Sequence, residues 1–143
     1  MATVHPYLNF DGQAEEAFLF YKSVFGGEFI MLQKFSDVPD SDQIPENERN
    51  RVLHVALPIN QNTILMASDN MPSAGHVLRP GNNMYINLQT DSREEADRLF
   101  EGLSAGGQIE MPMADMFWGD YFGSFTDKFD IQWMVNFGSY KQD

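Results

Sequence analysis

Cysteine is absent from this chain of 143 residues. Disulfide bonds, thiol catalysis and zinc–thiolate sites are therefore excluded. Basic residues are few, because nine Lys and Arg stand against 21 Asp and Glu, and the formal net charge is −12. Such a surface repels the phosphates of nucleic acids and the anionic headgroups of lipids. We therefore expect no nucleic-acid partner.

Long apolar runs are also lacking. No segment approaches the roughly 18 apolar residues that predict a membrane span. The first ten residues, MATVHPYLNF, lack the basic and apolar regions of a signal peptide. The sequence therefore predicts a cytoplasmic protein with no membrane partner. Its hydrophobic share of 43% is typical of a globular domain with a real core.

Hydrophobic periodicity predicts two amphipathic helices. The first runs from Ala14 to Phe25, and the second follows Ser92, which forms a capping box with Glu95. Each helix is predicted to end at a glycine pair, as glycine does at helix C-termini. Asp11-Gly12 breaks the preceding strand and is expected to cap the first helix.

Eight strands are predicted around these helices. They are expected at about residues 3–10, 28–35, 51–59, 63–68, 83–90, 108–113, 120–126 and 131–137. The polar, proline-bearing segments 36–50 and 69–82 are predicted as loops. The first of them is long enough to be a lid or a partner contact, or it is a plain solvated connection.

The two halves of the chain repeat the same order of elements. The matching segments are YLNF (7–10) with YINL (85–88), EEA (15–17) with EEA (94–96), and GGEF (26–29) with GGQI (106–109). The predicted order is βαβββ twice within a single domain 1–143, with module one at about 1–70 and module two at about 83–143. Because each module must pack an apolar sheet face, we expect an α+β fold in which a curved, half-open mixed sheet surrounds a cleft.

Several segments resemble the vicinal oxygen chelate superfamily, which includes glyoxalase I, fosfomycin- and bleomycin-resistance proteins and extradiol dioxygenases. They are similar to its PhnB-like branch, whose members are often labelled demethylubiquinone methyltransferase-like. The segments are HPYLNFDG (5–12), AFLFYKSVFGGE (17–28), LHVALPI (53–59), ILMASD (64–69) and FWGDYFGSFTDKFDIQW (117–133). Asp130 stands where that family usually has Gly. The resemblance implies a glyoxalase-like fold and a homodimer.

The resemblance also implies a divalent metal in the cleft, because superfamily enzymes usually polarise two substrate oxygens with one. His5 falls at the first-strand ligand position. The corresponding positions of the second module hold Tyr85 or Asn83 and, on the last strand, Met134. These are poor donors for such an ion. His5 is therefore a candidate ligand in an incomplete set, and no cofactor is predicted with certainty.

The candidate ligand pocket consists of residues that could face the cleft, namely His5, Tyr7, His54, Tyr85, Trp118 and Met134. His54 could be a second ligand, an acid or base, or a substrate contact. Alternatively, it is a half-buried histidine hydrogen-bonded within the sheet. His76 lies in a loop and is expected to be exposed.

In the aromatic segment 117–137, Trp133 and Met134 are neighbours on the last predicted strand. Alternation along a strand puts Trp133 and Met134 on opposite faces, so only one of them can line the cleft. If Met134 lines it, Trp133 is a core residue. Asp127 and Asp130 lie nearby and could act as a general acid or base, or could cap a turn.

Three functions remain open at this point. A PhnB-like protein could bind a small molecule in an aromatic and Met-rich cleft, with no defined activity. It could instead be a metal-dependent lyase, isomerase or resistance transferase using His5, or a non-catalytic interaction module. Methyl transfer has no supporting cofactor motif, because Gly26-Gly27 and Gly106-Gly107 are both predicted to close helices rather than open them. A P-loop, G-x-S-x-G and H-E-x-x-H are absent too.

Overall fold

The structure is a computed structural model and describes residues 1–138. Its strands are β1 (Tyr7–Phe10), β2 (Met31–Lys34), β3 (Val52–Pro58), β4 (Ile64–Asp69), β5 (Ile86–Gln89), β6 (Gln108–Asp115), β7 (Tyr121–Thr126) and β8 (Gln132–Phe137), and its helices are α1 (Ala14–Phe25) and α2 (Arg93–Ser104). The predicted α+β order, βαβββ twice, is confirmed. Within the described residues, neither helix is long and apolar enough to cross a membrane.

The chain divides into two compact units, Met1–Arg79 and a second that begins at Pro80. The first unit contains a sheet in the order β1-β4-β3-β2, and the second a sheet in the order β5-β8-β7-β6. β1 pairs with β4, and β5 with β8, in parallel, whereas the other neighbours are antiparallel. Each sheet is therefore mixed, with the strand that precedes the helix beside the last strand of the same unit.

One face of each sheet packs against the helix of its own unit. Helix α1 packs on β3 and β4, and α2 packs on β6, β7 and β8. The largest fully buried side chains lie in these two layers and are Phe18, Tyr21, Val52, Val55, Leu57, Leu65, Leu103, Phe125, Trp133 and Val135. Burying one such side chain stabilises the fold by about 1.5–3 kcal/mol.

Asp69, at the end of β4, holds the start of α1. The residue at the N-cap position, Gln13, makes no side-chain hydrogen bond to the helix. Asp69 Oδ1 instead accepts from the backbone N–H groups of Gly12 (2.9 Å) and Ala14 (3.0 Å), and Oδ2 accepts from Val52 N–H (2.8 Å). The carboxylate thus satisfies helix N–H groups that have no intrahelical partner.

The predicted N-terminal caps of the two helices have different outcomes in the structure. The prediction that Asp11-Gly12 caps α1 is wrong, because the Asp11 side chain forms an ion pair with Arg51 (2.8 Å). At α2 half of the predicted capping box is present, since Ser92 Oγ accepts from Glu95 N–H (3.0 Å). Glu95 Oε1 then accepts from Asp91 N–H (3.0 Å), one residue before the partner that a capping box requires.

The first strand of each unit begins three to four residues later than predicted. In both places a side chain replaces the backbone hydrogen bond that a longer strand would have made. His5 Nδ1 accepts from Ile64 N–H (3.0 Å), and Gln132 Nε2 donates to the carbonyl of Met84 (2.7 Å). The parallel ladder therefore stops early without leaving these backbone groups unpaired.

Segments 36–50 and 69–82 are loops, as predicted, with short 3-10 turns. Glu48 joins them, because its carboxylate accepts from Ser73 N–H (2.8 Å) and from the Ser73 hydroxyl (2.5 Å). These hydrogen bonds lower the pKa of the Glu48 carboxyl below its ordinary value. Within the first loop, the Arg49 side chain donates hydrogen bonds to the carbonyls of Ile44 and Asp42.

Trp133 is a core residue. Its side chain has no exposed surface, and its indole Nε1–H donates to Asp127 Oδ2 (2.8 Å). Asp127 Oδ1 accepts from the N–H groups of Phe129 (2.8 Å) and Ile131 (3.0 Å). Asp127 therefore caps the β7–β8 turn, as one of the two interpretations predicted. Met134 is half-buried on the opposite face of β8.

Candidate functional site

The face of the first sheet opposite α1 carries polar and aromatic side chains. Alternation along β1 buries its helix-facing residues and leaves Tyr7 and Asn9 exposed. The register places Tyr7 beside Met66 and Asn9 beside Ser68 of β4. His54 of β3 lies on the same face and contacts Tyr7. We refer to this surface as the open face of the first sheet.

Tyr7 and His54 form a stacked pair on this open face. Their ring centroids are 5.7 Å apart with an interplanar angle of 22°, and the Tyr7 hydroxyl lies 3.4 Å from His54 Nδ1. Tyr7 remains 47% exposed. An exposed aromatic pair with polar atoms at its rim offers a flat apolar contact and hydrogen bonding at one place. The structure thus brings together two of the six predicted pocket residues.

A groove of about 370 Å³ begins two residues farther along β1 from Tyr7. The ends of β1 and β4 form one wall, and segment 76–79 forms the other. The lining residues are Asn9, Ser68, Asp69, Asn70, His76, Val77, Leu78 and Arg79. We call this the first-unit groove.

The side-chain oxygens of the two asparagines in this groove are already used by the protein. The Ser68 hydroxyl donates to Asn9 Oδ1 (3.5 Å), and Arg51 Nη1 donates to Asn70 Oδ1 (2.6 Å). An asparagine amide has an acceptor side and a donor side. Each amide oxygen thus already accepts one hydrogen bond, whereas the NH₂ groups of Asn9 and Asn70 remain as donors for a ligand.

The remaining polar residues of the groove are also donors. Met71 N–H donates to His76 Nδ1 (3.1 Å), so the neutral ring carries its proton on Nε2. Arg79 is exposed and forms no ion pair within residues 1–138. Asp69, the acid of this lining, is only 5% exposed and has both oxygens engaged by backbone N–H groups. The groove therefore presents donors, the positive charge of Arg79 and one hydroxyl acceptor, Ser68 Oγ, whose proton is donated to Asn9.

Tyr85, which the internal repeat aligns with Tyr7, has a different partner. Its hydroxyl donates to Glu110 Oε2 (2.7 Å), and the Thr126 hydroxyl donates to Glu110 Oε1 (3.3 Å). The hydrogen bond to Glu110 raises the pKa of Tyr85 above its ordinary value. In the second unit the repeated tyrosine is thus bound to a carboxylate instead of an imidazole.

The other predicted pocket residues of the second unit have separate neighbours. Trp118 lies in the β6–β7 turn, is 53% exposed, and packs edge-to-face on Phe117 at 4.8 Å between centroids. Met134 pairs with Ser124 of β7 and Asn87 of β5. Neither contacts the Tyr85–Glu110 pair through a hydrogen bond within residues 1–138.

The described residues do not fit the divalent metal that the resemblance implies. Across residues 1–138, no group of three or more His, Asp or Glu side chains is placed to hold a metal ion. Both ring nitrogens of His5 are engaged, Nδ1 by Ile64 N–H (3.0 Å) and Nε2 by Thr3 Oγ1 (3.3 Å). Since Nδ1 accepts a hydrogen bond, the neutral ring is protonated at Nε2 and has no free lone pair for a metal.

Sequence reasoning did not single out most of the groove. Asn9, Ser68, Asn70 and Arg79 carried no prediction, and His76 was expected only to be exposed, as it is. A usable signal was present in loop 69–82, which holds both His76 and Arg79 in a chain with nine Lys and Arg. A basic residue in a loop of so acidic a chain is a candidate anion contact.

A sequence model of the family described as 3-demethylubiquinone-9 3-methyltransferase matches residues 2–136. The chain belongs to this family. Protein YjdN of Escherichia coli K12 is 34% identical to it in an alignment of 139 positions that covers 92% of this chain and 92% of that protein. The predicted resemblance to the PhnB-like branch is therefore confirmed.

Solved structures show the same fold. Protein PA1353 from Pseudomonas aeruginosa is 36% identical, with a TM-score of 0.84 over 96% of this chain and 98% of that chain. A putative 3-demethylubiquinone-9 3-methyltransferase, PhnB protein, from Bacillus cereus is 24% identical, with a TM-score of 0.74 over 96% and 100%. The fosfomycin resistance protein FosX from Listeria monocytogenes is 14% identical, with a TM-score of 0.62 over 96% and 93%. The glyoxalase-like fold is confirmed.

The glycine pairs of this family member lie after its helices, as predicted. Gly26 is the C-cap of α1, and Gly106 follows the end of α2. Both adopt positive φ angles, 79° and 77°, which end a helix at little steric expense. A methyltransferase that binds a nucleoside cofactor commonly uses a glycine-rich turn that opens a helix. Both glycine pairs here close a helix instead, so these turns do not support the methyltransferase named in the family's description.

Proposed function

We propose that this protein binds a small anionic molecule on the open face of the first sheet. One observation carries the proposal: the first-unit groove offers several donors and the positive charge of Arg79, while most of its oxygens already accept hydrogen bonds. Asp69 is 5% exposed and both its oxygens accept from backbone N–H groups, and the amide oxygens of Asn9 and Asn70 each accept from a side chain. Oxygen-rich anions complement such a lining.

Each residue of the groove has a separate role in this proposal. The Arg79 guanidinium pairs with a carboxylate or phosphate group, which its planar fork can bind with two parallel hydrogen bonds. The amide of Asn9 and Nε2–H of His76 donate to the remaining oxygens. The stacked pair of Tyr7 and His54 supplies a flat contact for an apolar or aromatic part of the ligand. A volume of about 370 Å³ suits a small ligand.

The overall negative charge of the protein opposes the binding of anions. At a net charge of −12, the protein repels anions at long range. Screening limits that repulsion to about 8 Å at physiological ionic strength. An anion that binds must therefore be held by local contacts such as Arg79, since non-specific attraction is absent.

Three probes of similar shape and different charge test the proposal. Benzoate, benzyl alcohol and benzylamine are each titrated into ¹⁵N-labelled protein at 0.15 M salt, and amide shifts are followed by NMR. We expect saturable benzoate shifts at Asn9, Ser68, Asn70 and segment 76–79, and none of comparable size with benzyl alcohol. Arg79→Gln should weaken benzoate binding about tenfold.

Arg98→Gln is the matched control, because it removes the same charge from an exposed position on α2. It should leave benzoate binding unchanged. If benzoate binds equally well to the Arg79 and Arg98 variants, or if benzyl alcohol produces the same shifts, the proposed anion site is wrong.

A further inference from the structure

A second groove, of about 380 Å³, lies wholly within the second unit. Residues Pro80, Gly81 and Asn82 border one side. The other side is formed by Thr126 at the end of β7, Gln132 at the start of β8, and Asp130 in the turn between them. We call this the second-unit groove.

Two donors of this second-unit groove, on its β7–β8 side, are used by the protein. The Thr126 hydroxyl donates to Glu110 Oε1 (3.3 Å), and Gln132 Nε2 donates to the Met84 carbonyl (2.7 Å). Their oxygens, Thr126 Oγ1 and Gln132 Oε1, are left as acceptors. Neither oxygen accepts a hydrogen bond within the part of the chain that the structure describes.

Asp130 adds a negative charge to these acceptors. Its carboxylate is exposed and forms no hydrogen bond or ion pair within residues 1–138. Its backbone has a φ of 69°, in the left-handed region that favours glycine and that Asp and Asn tolerate. The turn thus accommodates Asp at a position where the family usually has Gly.

The turn itself does not need the Asp130 side chain. Asp127 already caps it through the N–H groups of Phe129 and Ile131, and the backbone N–H of Asp130 donates to the Asp127 carbonyl (3.0 Å). A glycine would satisfy the same backbone geometry with less strain. The carboxylate is therefore a feature of the groove and not of the fold.

We propose that the second-unit groove binds the ammonium group of a small cationic molecule. An ammonium group has three N–H donors, and the groove offers three acceptors, namely the Asp130 carboxylate, Thr126 Oγ1 and Gln132 Oε1. Asp130 is the charge partner, and the two neutral oxygens fix the orientation of the donors. This site lies in a different unit from the proposed anion site, takes a ligand of opposite charge, and does not depend on it.

The net charge of −12 favours the approach of any cation and therefore makes a charge-matched control necessary. Asp40 provides it. Like Asp130, Asp40 is exposed and has a positive φ, 61°, and its side chain caps no helix. Asp40→Asn and Asp130→Asn thus make the same charge change in the same backbone conformation, but only the second alters the groove.

Benzylamine binding followed by ¹⁵N NMR at 0.15 M salt tests the proposal. We expect saturable shifts at Gly81, Asn82, Thr126, Asp130 and Gln132. Asp130→Asn should weaken binding about tenfold, as expected for loss of a charge-assisted hydrogen bond, while Asp40→Asn leaves it unchanged. Asp130→Gly, which suits the left-handed turn, should fold normally and lose binding to the same extent.

Either of two results would contradict the proposed ammonium site. One is equal benzylamine affinity in the Asp130→Asn and Asp40→Asn proteins, which would mean that the cation responds only to the overall charge. The other is a set of shifts that does not saturate or that lies outside the groove. Benzoate serves as the second probe in the same samples, so failure of the cation site is distinguished from failure of the anion site.

Discussion

The two units share one scaffold and differ in the polarity that each leaves at its surface. Both have the order βαβββ, a mixed sheet and a tyrosine at the repeated YxN motif. Tyr7 contacts an imidazole, whereas Tyr85 donates to a carboxylate. In the first-unit groove internal hydrogen bonds engage the amide oxygens of Asn9 and Asn70, whereas in the second-unit groove they engage the Thr126 hydroxyl proton and the Gln132 amide NH₂. The duplicated backbone therefore places polar groups similarly but leaves their sign to individual side chains.

The same comparison applies to the buried carboxylates. Asp69 and Asp127 are 5% and 2% exposed, and each accepts three N–H donors. Asp69 connects a strand end to the start of α1, which is a long-range contact. Asp127 organises a tight turn and the indole of Trp133. Asp69 of the first unit thus connects separate elements, whereas Asp127 of the second unit stabilises a local turn.

The largest effect that we expect comes from removing these carboxylates. Asp69→Ala leaves three N–H groups without their acceptor, two of them buried, and each buried group left unsatisfied costs about 1–3 kcal/mol. We therefore expect a loss of about 3–5 kcal/mol in the free energy of unfolding, measured by urea denaturation. Asp127→Ala should destabilise the protein to a similar extent.

Asp130→Asn is the control for both carboxylate substitutions, because it removes an exposed carboxylate and should change stability by less than about 0.5 kcal/mol. Unfolding should be monitored separately in each unit by NMR. A loss below about 1 kcal/mol in Asp69→Ala would show that its contacts do not hold the helix, and the comparison between the two carboxylates would fail.

The fold could be predicted from the sequence because its signals are local or repeated. Helical periodicity, the Ser92–Glu95 pair and the glycine pairs each act within one element, and the internal repeat supplied the order of elements. Strand alternation predicted only that Trp133 and Met134 lie on opposite faces, and the structure decides that Trp133 is the core residue.

The site was harder to predict because it depends on contacts between distant residues. Asp69 accepts from Ala14, 55 residues away, and His5 accepts from Ile64, 59 residues away. A sequence pattern shows His5 as an available ligand, but only the structure shows that its ring nitrogens are engaged. Likewise, the donor character of Asn9 depends on which side of its amide Ser68 occupies.

Glu48 and Tyr85 should affect the pH dependence of stability at opposite ends of the pH scale. The Glu48 pKa is lowered from its ordinary value of 4.5, first by the Ser73 hydroxyl. Its contribution is therefore present above 4.5 and is lost as pH falls through the lower folded value. The Tyr85 pKa is raised from 10.0, first by Glu110, so its contribution is present below 10 and is lost as pH rises through the folded value.

Thermal unfolding across acidic and alkaline pH tests this difference. Glu48→Gln should flatten the acid-side fall of the melting temperature, and Tyr85→Phe should flatten the alkaline-side fall. Each variant leaves the other side of the profile unchanged and so serves as the control for its counterpart. Identical profiles for wild type and Glu48→Gln would mean that the Ser73 contact does not act on the folded state.

The smallest effect that we expect is on the stability of Asp→Gly variants at Asp40 and Asp130, the two aspartates with left-handed backbone. Glycine relieves the left-handed backbone at Asp40 and Asp130 but loses more conformational freedom on folding, so each Asp→Gly change should stabilise its unit by only about 0.5 kcal/mol. Urea denaturation of both variants measures this gain. Only Asp130→Gly should also lose benzylamine binding. If Asp130→Gly is instead destabilising by more than Asp40→Gly, the Asp130 side chain supports its turn, and its role in the second-unit groove would no longer be needed to explain its presence.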